Sequence, residues 1–405
     1  MFRNILLFFA AGLIFCWQPI RAQAVVLSAQ ATVSLVTVAP GEELYSVFGH
    51  TAVWIQDPQT GINEVYNYGT FDFNESNFYI KYIRGKLLYA LAIGKIENMV
   101  YGAQYENRTV TAQQLNLSAA QTSKLYAFLQ RNYQPDQRYY KYDHFYDNCT
   151  TRVRDALQSV CGDSLKFGQN PDSLTFRQWI DRYLQHHHYA DFGIDLGIAS
   201  PADRPASSSE SMFLPDNLMN LTATATVMRN GRPEKFELTH QTLFQAVPRP
   251  ALSDGLTPTM LFWLLLAVGV LITIWQFRGT GRQFWLDAVL FSVIGLLGWL
   301  LAFLWFGTDH RATVQNWHLW WALPLHFPVA LWLLRKHKAN WLRIYFILYL
   351  ALLVLLLVSW KFIPQRIDYE LIPIVLLLAL RSAFLVFRMR LSVRQTAPQP
   401  PKGEF

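Results

Sequence analysis

Cysteine is scarce in this sequence, with only three in 405 residues. Cys16 lies in an apolar N-terminal stretch, so Cys149 and Cys161 remain for the folded protein. Two thiols allow at most one disulfide, which excludes a fold held together by many bridges. In an oxidising compartment a lone pair of cysteines usually bridges. The sequence therefore leaves open a Cys149–Cys161 disulfide, an inert buried thiol and a reactive thiol.

Charged residues are also few, at 16% of the chain, and the net charge of +7 is unevenly distributed. Much of the positive excess lies in the C-terminal third, in short segments between long apolar runs. That distribution indicates membrane topology and not a nucleic acid partner.

The N-terminus has the features of a secretory signal peptide. Arg3 precedes an apolar run over residues 5–17, and Ala22-Gln23-Ala24 fits a cleavage site for small residues. Phe15 stands before Cys16 where a lipoprotein signal would have a small residue, so the protein itself is not expected to be a lipoprotein. We expect a signal peptide over 1–24, an extracytoplasmic domain over 25–250 and a transmembrane domain over 251–405.

The C-terminal section contains five apolar runs long enough to span a bilayer. A signal peptide would place residues 25–250 outside the cytoplasm, so five spans leave the C-terminus inside. Most of the basic residues that flank the spans then face inward. Arg381 falls within the last run, where an intramembrane charge suggests a lipid headgroup contact or a side chain that reaches the interface. The predicted spans are Met260–Phe277, Phe284–Phe306, Trp317–Leu334, Ile344–Trp360 and Leu371–Phe387.

Residues 25–250 show mixed α and β patterns. A β-rich run over 44–55 and a strand over 63–68 predict a hairpin, and 100–110 looks like another strand. A capping box at Ser118-Ala119-Ala120-Gln121 predicts a helix from 118, and further helices are predicted from 150 and 175. The aromatic stretch 78–91 fits a strand pair, packed core or an exposed apolar lip for an acyl chain. His186-His187-His188 ends a helix, where it complements the dipole, so no metal and no cofactor are expected.

Cys149 lies where an amphipathic helix begins, since Val153, Leu157 and Val160 form one apolar stripe after it. Unpaired N–H groups and the peptide dipole place partial positive charge at a helix N-terminus, which favours ionisation of a thiol there. Cys149 is therefore a candidate nucleophile. A thiolate needs a base within hydrogen-bond reach, and His50, in a strand after the flexible Gly49, is the best candidate.

Three motifs together resemble the periplasmic domain of Lnb-type lipoprotein N-acyltransferases. They are Phe48-Gly49-His50-Thr51-Ala52, Asn67-Tyr68-Gly69-Thr70-Phe71-Asp72-Phe73 and Asp147-Asn148-Cys149-Thr150. The histidine-first order and the Asn-Cys pair are also similar, more distantly, to the circularly permuted NlpC-like fold shared with lecithin:retinol acyltransferase. The resemblance implies an α+β papain-like extracytoplasmic domain followed by an all-α transmembrane domain of five helices.

The resemblance also implies a reaction. Cys149 would take an acyl chain from a phospholipid as a thioester and pass it to the N-terminal amine of a diacylated lipoprotein, with His50 as base. A third polar group usually fixes the imidazole; Asn67, on the strand after His50, is the first candidate, and Asp72 and His144 are the alternatives. The N–H groups opening the Cys149 helix would stabilise the oxyanion. The expected partners are phospholipid, lipoprotein and membrane, and the expected location is a bacterial inner membrane with the catalytic domain in the periplasm. Candidate substrate-binding residues are Tyr45, Ser46, Tyr68, Asp72, His144 and Asn148.

Two other functions remain open on the sequence alone. A membrane-anchored cysteine peptidase or amidase acting on cell-wall peptides would use the same dyad, but it would need a polar groove. A non-catalytic envelope protein would leave Cys149 bridged to Cys161.

Overall fold

The computed structural model describes residues 26–248, 255–278, 284–335 and 340–396. The expected signal peptide over 1–24 lies outside these residues. The rest divides into a mixed α/β domain and a C-terminal helical region, in the order that the sequence predicts.

A seven-stranded antiparallel sheet forms the centre of the N-terminal domain, in the strand order β10-β5-β1-β2-β3-β4-β6. A second, three-stranded sheet has the order β7-β8-β9. The strands are β1 Thr32–Val38, β2 His50–Asp57, β3 Ile62–Thr70, β4 Leu88–Gly94, β5 Val110–Leu115, β6 Tyr139–Lys141, β7 Leu165–Lys166, β8 Thr226–Arg229, β9 Arg232–Lys235 and β10 Glu237–Phe244.

Eight α-helices of this domain follow or interrupt the strands. They are α1 Phe78–Ile83, α2 Ile96–Tyr105, α3 Ala119–Asn132, α4 Cys149–Cys161, α5 Phe176–Leu184, α6 His188–Gly197, α7 Ser208–Ser211 and α8 Pro215–Ala223. Ser118 caps α3 with reciprocal side-chain bonds, as its sequence pattern predicts, and Thr175 caps α5 in the same way.

The two sheet faces carry separate cores. Helix α4 packs on β2 and β3, and α3 packs on α4. Val53 and Tyr66 point into this core with the α4 residues Val153 and Leu157. On the other face, Ala52 and Val65 pack with α2. The alternation within β2 and β3 thus fixes which side chains face α4.

The predicted hairpin of β2 and β3 forms, but the other strand predictions need correction. Strand β2 begins only at His50, because residues 43–48 form turns. The predicted strand over 100–110 is wrong, since 96–105 is helix α2. Its buried residues Ile96 and Ala103 are seven apart, so they lie on the same face of the helix, and most of the polar and aromatic residues between them face outward. Residues 78–91 form α1 and part of β4.

The C-terminal region contains four helices of spanning length among the described residues. They are α9 Pro258–Arg278, α10 Trp285–Phe306, α12 Asn340–Ser359 and α13 Ile372–Thr396. The third predicted span is built differently: Trp317–Trp320 is a 3₁₀ turn and only His326–Leu333, helix α11, is α-helical. Pro324 and Pro328 lie in this stretch, and proline interrupts helical hydrogen bonding.

The segment 317–335 nevertheless runs antiparallel to both neighbours. A Cβ on Gly298 of α10 would meet the Ala322 carbonyl oxygen, and one on Gly295 would meet the backbone of Phe327. On the other side, Tyr349 donates to the Trp321 carbonyl, and Tyr345 contacts His326 Nδ1 at 2.7 Å. Glycine permits this close approach of two backbones.

Arg381 does not face lipid. Its side chain is 1% exposed and makes a two-pronged ion pair with Asp287, at 2.6 and 2.8 Å. It also donates to Thr273 Oγ1 and Gln276 Oε1. Because these bonds join α9, α10 and α13, the suggested headgroup contact is replaced by a structural role inside the helix bundle.

The two regions are joined by polar contacts. Arg366, in the loop between α12 and α13, pairs with Asp181 of α5 at 2.6 Å and with Asp195 of α6 at 3.1 Å. Lys141 of β6 pairs with Asp309, beyond the end of α10, at 2.7 Å. Asn316 donates to the Leu196 carbonyl. These contacts hold the N-terminal domain against one end of the helical region.

Breaking the buried ion pair tests this role of Arg381. We expect Arg381→Leu to lower the free energy of unfolding by about 3–5 kcal/mol, because it leaves the Asp287 carboxylate buried and unpaired. Thermal unfolding of the full chain in detergent measures the loss. The double variant Asp287→Leu/Arg381→Leu removes both charges and should be more stable than the single variant. A single variant as stable as the unaltered protein would contradict the assignment.

Candidate active site

Asn148 fixes the position at which helix α4 begins. Its side-chain oxygen accepts from the Thr150 and Thr151 N–H groups at 2.8 and 2.9 Å, and Thr151 Oγ1 accepts from the Asn148 N–H. Its side-chain nitrogen donates to the carbonyls of His144 and Phe213. All of these bonds lie within the protein, so Asn148 positions Cys149, and its contact with substrate stays a prediction.

His50 and Asn67 lie beside Cys149. His50 is the first residue of β2 and Asn67 lies on β3, where the antiparallel register makes them diagonal neighbours on one face. Asn67 Oδ1 is 2.6 Å from His50 Nε2. The His50 ring also hydrogen bonds with the Cys149 thiol. Because Nε2 bonds Asn67, the nitrogen that faces the sulfur is Nδ1. The structure thus brings together the three residues that the sequence proposed as catalytic.

The thiol and the imidazole change each other's ionisation. Burial alone would raise the pKa of Cys149, but the charge of His50 and its hydrogen bond lower that pKa to about 7. The Thr150 hydroxyl and the Thr51 N–H lower it further in the same direction. For His50, burial opposes protonation, yet the negative charge on Cys149 gives a net rise in pKa. Both shifts favour a thiolate–imidazolium pair near neutral pH.

Gly69 and Tyr142 form the near wall of this site. Gly69 has a φ of 93°, and a Cβ there would lie 3.5 Å from Cys149 Cβ and 3.7 Å from the Tyr142 ring. Only glycine adopts this conformation without strain. The Tyr142 hydroxyl hydrogen bonds with Cys149, and burial raises its pKa well above 10, so it stays protonated. The sequence placed Gly69 in a motif without a role, and it gave no signal for Tyr142, which a loop brings to the sulfur.

Cys161 cannot bridge to Cys149. The two residues are the last and first of a 13-residue helix, which rises about 18 Å between them. A disulfide needs Cα atoms within about 7 Å. Both thiols are free and buried. The disulfide left open by the sequence is therefore excluded, and with it the main argument for a non-catalytic protein.

The other predicted site residues are spread around the Cys149 site. Tyr45 is exposed, and its hydroxyl donates to Glu106, at the rim of a cavity of about 380 Å³ that contains His50 and Asn67. Ser46 is buried and donates to the Glu43 carbonyl, so it stabilises the turn before β2.

A larger cavity lies on the other side of Tyr142. It measures about 900 Å³ and extends from Tyr68 and His144 to Asp309, His310 and Arg311 of the membrane loop. Tyr68 and His144 therefore face a space large enough for a ligand. Asp72 instead accepts two bonds from Asn74 in an exposed turn and lines a separate cavity of about 570 Å³.

One cluster of three carboxylates among the described residues could hold a cation. It consists of Asp181, Asp191 and Asp195, whose oxygens lie within 4.8 Å of one another. Arg366 pairs with two of them, and Arg177 pairs with Asp195 at 2.7 Å. These two guanidinium groups offset part of the negative charge of the three carboxylates, and the histidines 186–188 are not part of the cluster.

Fold and site together define a membrane-anchored α/β protein with a Cys–His–Asn arrangement at the start of a helix. Residues 21–182 match the family described as Lnb N-terminal periplasmic domain, and residues 251–391 match the Lnb transmembrane domain. The two matches cover most of the chain, in the order expected, and the chain belongs to the Lnb family. No curated protein and no solved structure matches it.

Alkylation of the unaltered protein by iodoacetamide tests the coupled thiol. We expect the Cys149 rate to rise with pH through an inflection near 7, because thiolate forms above the thiol's pKa. In His50→Ala the burial remains without the compensating charge, so the inflection should move above about 8.5 and the rate at pH 7 should fall at least tenfold. Peptide mass spectrometry follows each cysteine separately.

Cys161 is the internal control for this experiment. Burial raises its pKa to about 11, so it should remain unmodified through the neutral range in both proteins. An unchanged Cys149 profile in His50→Ala would show that His50 does not set the ionisation of the thiol.

Proposed function

We propose that this protein is a lipoprotein N-acyltransferase that works through a Cys149 thioester. The observation that carries the proposal is the hydrogen-bonded series Cys149, His50 and Asn67, at the start of a helix, in a chain of the Lnb family with a membrane domain. A thiol with a pKa of about 7 supplies a strong thiolate nucleophile at neutral pH. Both expected substrates reside in the membrane.

In the first half-reaction, Cys149 Sγ attacks the carbonyl carbon of a phospholipid ester. The bond from that carbon to the glycerol oxygen breaks, and the oxygen takes a proton from the His50 imidazolium, which releases a lysophospholipid. In the second, the N-terminal amine of the diacylated lipoprotein attacks the thioester carbon. The C–S bond breaks, His50 accepts the amine proton and the thiolate is restored.

Asn67 orients the imidazole, since its oxygen bonds the nitrogen that faces away from the sulfur. The oxyanion assignment is narrower than the sequence suggested, because Asn148 occupies the Thr150 and Thr151 N–H groups. We assign the oxyanion to the N–H of Cys149 at the first turn of α4, together with the protonated Tyr142 hydroxyl.

We also propose the finer architecture that the resemblance implies. A nucleophile helix packed on an antiparallel sheet, with histidine and asparagine on adjacent strands that precede it in the chain, supports a circularly permuted, NlpC-like papain arrangement. The antiparallel course of residues 317–335 supports a fifth, broken crossing of the membrane. Five crossings would put the N-terminal domain and the C-terminus on opposite sides of the membrane. The signal peptide that the sequence predicts then gives a periplasmic N-terminal domain and a C-terminus inside.

The test is acyl transfer in liposomes that contain phospholipid and a diacylated lipoprotein, with mass spectrometry of the acceptor's N-terminus. We expect the unaltered protein to add one acyl group, Cys149→Ala to add none, and His50→Ala to be slower by about 100- to 10,000-fold. With phospholipid alone, the protein should gain a hydroxylamine-labile acyl group on Cys149.

The matched control is Cys161→Ser, at the other end of the same helix, which should retain activity. An unaltered, folded protein that leaves the lipoprotein unchanged would overturn the proposal. Cleavage of cell-wall peptides by the same preparation would then favour the peptidase alternative.

A further inference from the structure

Helix α1 and the loop before it present an exposed apolar surface beside the membrane domain. Of the α1 residues, only Phe78 is buried. Tyr79 is 74% exposed and Ile80 59% exposed, whereas the large apolar side chains of a soluble surface are usually covered or scattered. We call this surface the α1 patch; it consists of Phe73, Tyr79, Ile80, Tyr82 and Ile83.

The α1 patch is bound to the loop that follows the spanning helix α10. His310 Nε2 donates to the Ile83 carbonyl at 3.0 Å, and the Asp309 N–H donates to the Arg84 carbonyl at 3.0 Å. Gly85 lies against His310, where a Cβ would come within 3.3 Å of its backbone nitrogen. Lys141 of the neighbouring strand β6 pairs with Asp309 and holds the same loop. These contacts fix the height of the patch relative to α10.

That height corresponds to the headgroup layer. Helix α10 ends at Phe306, which is 74% exposed and stacks on Trp305, as aromatic residues do at membrane interfaces. The three residues from Phe306 to Asp309 can span at most about 11 Å. A headgroup layer is about 5–7 Å thick on each side of the hydrocarbon core. The exposed side chains of α1 can therefore reach lipid while the rest of the domain stays in water.

Charge on the same element suits an anionic lipid surface. Lys81, Arg84 and Lys86 alternate with the apolar residues of the α1 segment. Lys81 pairs with Glu75 at 2.6 Å, and Arg84 and Lys86 lie close enough to Asp309 to lower the pKa of its carboxyl. Segments that lie in the membrane interface typically have basic side chains next to aromatic ones that enter the lipid.

A continuous series of aromatic rings leads from the α1 patch to the thiol. Phe71 contacts Phe73 with ring centres 4.8 Å apart, and it contacts Tyr89 at 5.2 Å. Tyr89 in turn lies 4.4 Å from Tyr142, whose hydroxyl hydrogen bonds with Cys149. Phe71 and Phe73 are exposed, whereas Tyr89 is buried at 9%, so the series gives an acyl chain an apolar surface at its outer end and an apolar contact with Tyr142 at its inner end.

We propose that the α1 patch inserts into the outer leaflet of the bilayer next to α10, and that the aromatic series guides a phospholipid acyl chain from there to Cys149. The insertion follows from the position of the α1 patch beside the end of α10 and from its contacts with the loop after that helix. The guidance of the acyl chain rests on the proposed acyltransferase function. The membrane that holds the spanning helices is thus also the surface from which the site takes its donor.

The depth of residue 80 tests the insertion without any enzyme assay. A spin label is attached at Ile80→Cys in the full chain, in a background without other reactive thiols, and reconstituted in liposomes of phosphatidylethanolamine and phosphatidylglycerol. We expect the label to be more accessible to oxygen than to a water-soluble nickel chelate. The control is Tyr101→Cys on α2, a residue that is 73% exposed but outside the patch, where the chelate should be the better relaxant.

A label at residue 80 that behaves like the one at 101 would overturn the insertion. A label that is shielded from both relaxants would show that a protein surface, from a second copy or a partner, covers the patch instead, which also overturns it.

The acyl route is tested with Ile80→Glu. We expect at least a tenfold loss of acyl transfer from bilayer phospholipid, while Cys149 alkylation by iodoacetamide stays unchanged, which shows that the domain is folded and its thiol ionised. Tyr101→Glu should retain full transfer. Equal transfer by both variants would overturn the route. Absence of transfer in the unaltered protein would instead overturn the acyltransferase function and leave the depth result standing.

Discussion

The site depends on one compensation: a thiol that burial would make inert is ionised by the imidazole next to it. Helix α4 contains both outcomes. Cys149 at its start, beside His50, has a pKa near 7, whereas Cys161 at its end has one near 11 because burial acts there with only distant positive charge to oppose it. The helix dipole favours a negative charge at the first position and not at the last. The structure around helix α4 holds the Cys149 thiol and the His50 imidazole together.

The joined domains give this chemistry a location. Arg366 and the residues 309–316 hold the N-terminal domain against one end of the helix bundle, and inside the bundle Arg381 joins three helices through one ion pair. These contacts hold the thiol beside the membrane domain. Under the proposed function, substrates confined to the bilayer meet it there at high effective concentration.

Local patterns were sufficient for much of the fold and site. Helices α3, α4 and α5 begin where the sequence predicts helices, and Asn230-Gly231 joins β8 to β9 in a hairpin. The strand predicted over 100–110 failed because Val100, Tyr101 and Tyr105 favour strands by type, while packing of Ile96 and Ala103 on the sheet stabilises a helix. Hydropathy could not show that the helix at 317–335 is broken, because hydropathy reports the length of an apolar run and not the continuity of the helix within it.

The sequence by itself determined the order of a mixed α/β domain and a membrane domain, the helix that begins at Cys149 and the candidate pair with His50, because periodicity, capping and hydropathy depend on neighbouring residues. Only the tertiary structure decided that Asn67 faces His50, that Asn148 positions the helix, that Tyr142 touches the sulfur and that Cys161 lies too far away to bridge. These facts depend on strand register and on loops that bring together residues distant in the chain. Contacts of that kind are set by the packing of the whole domain, which no local pattern contains.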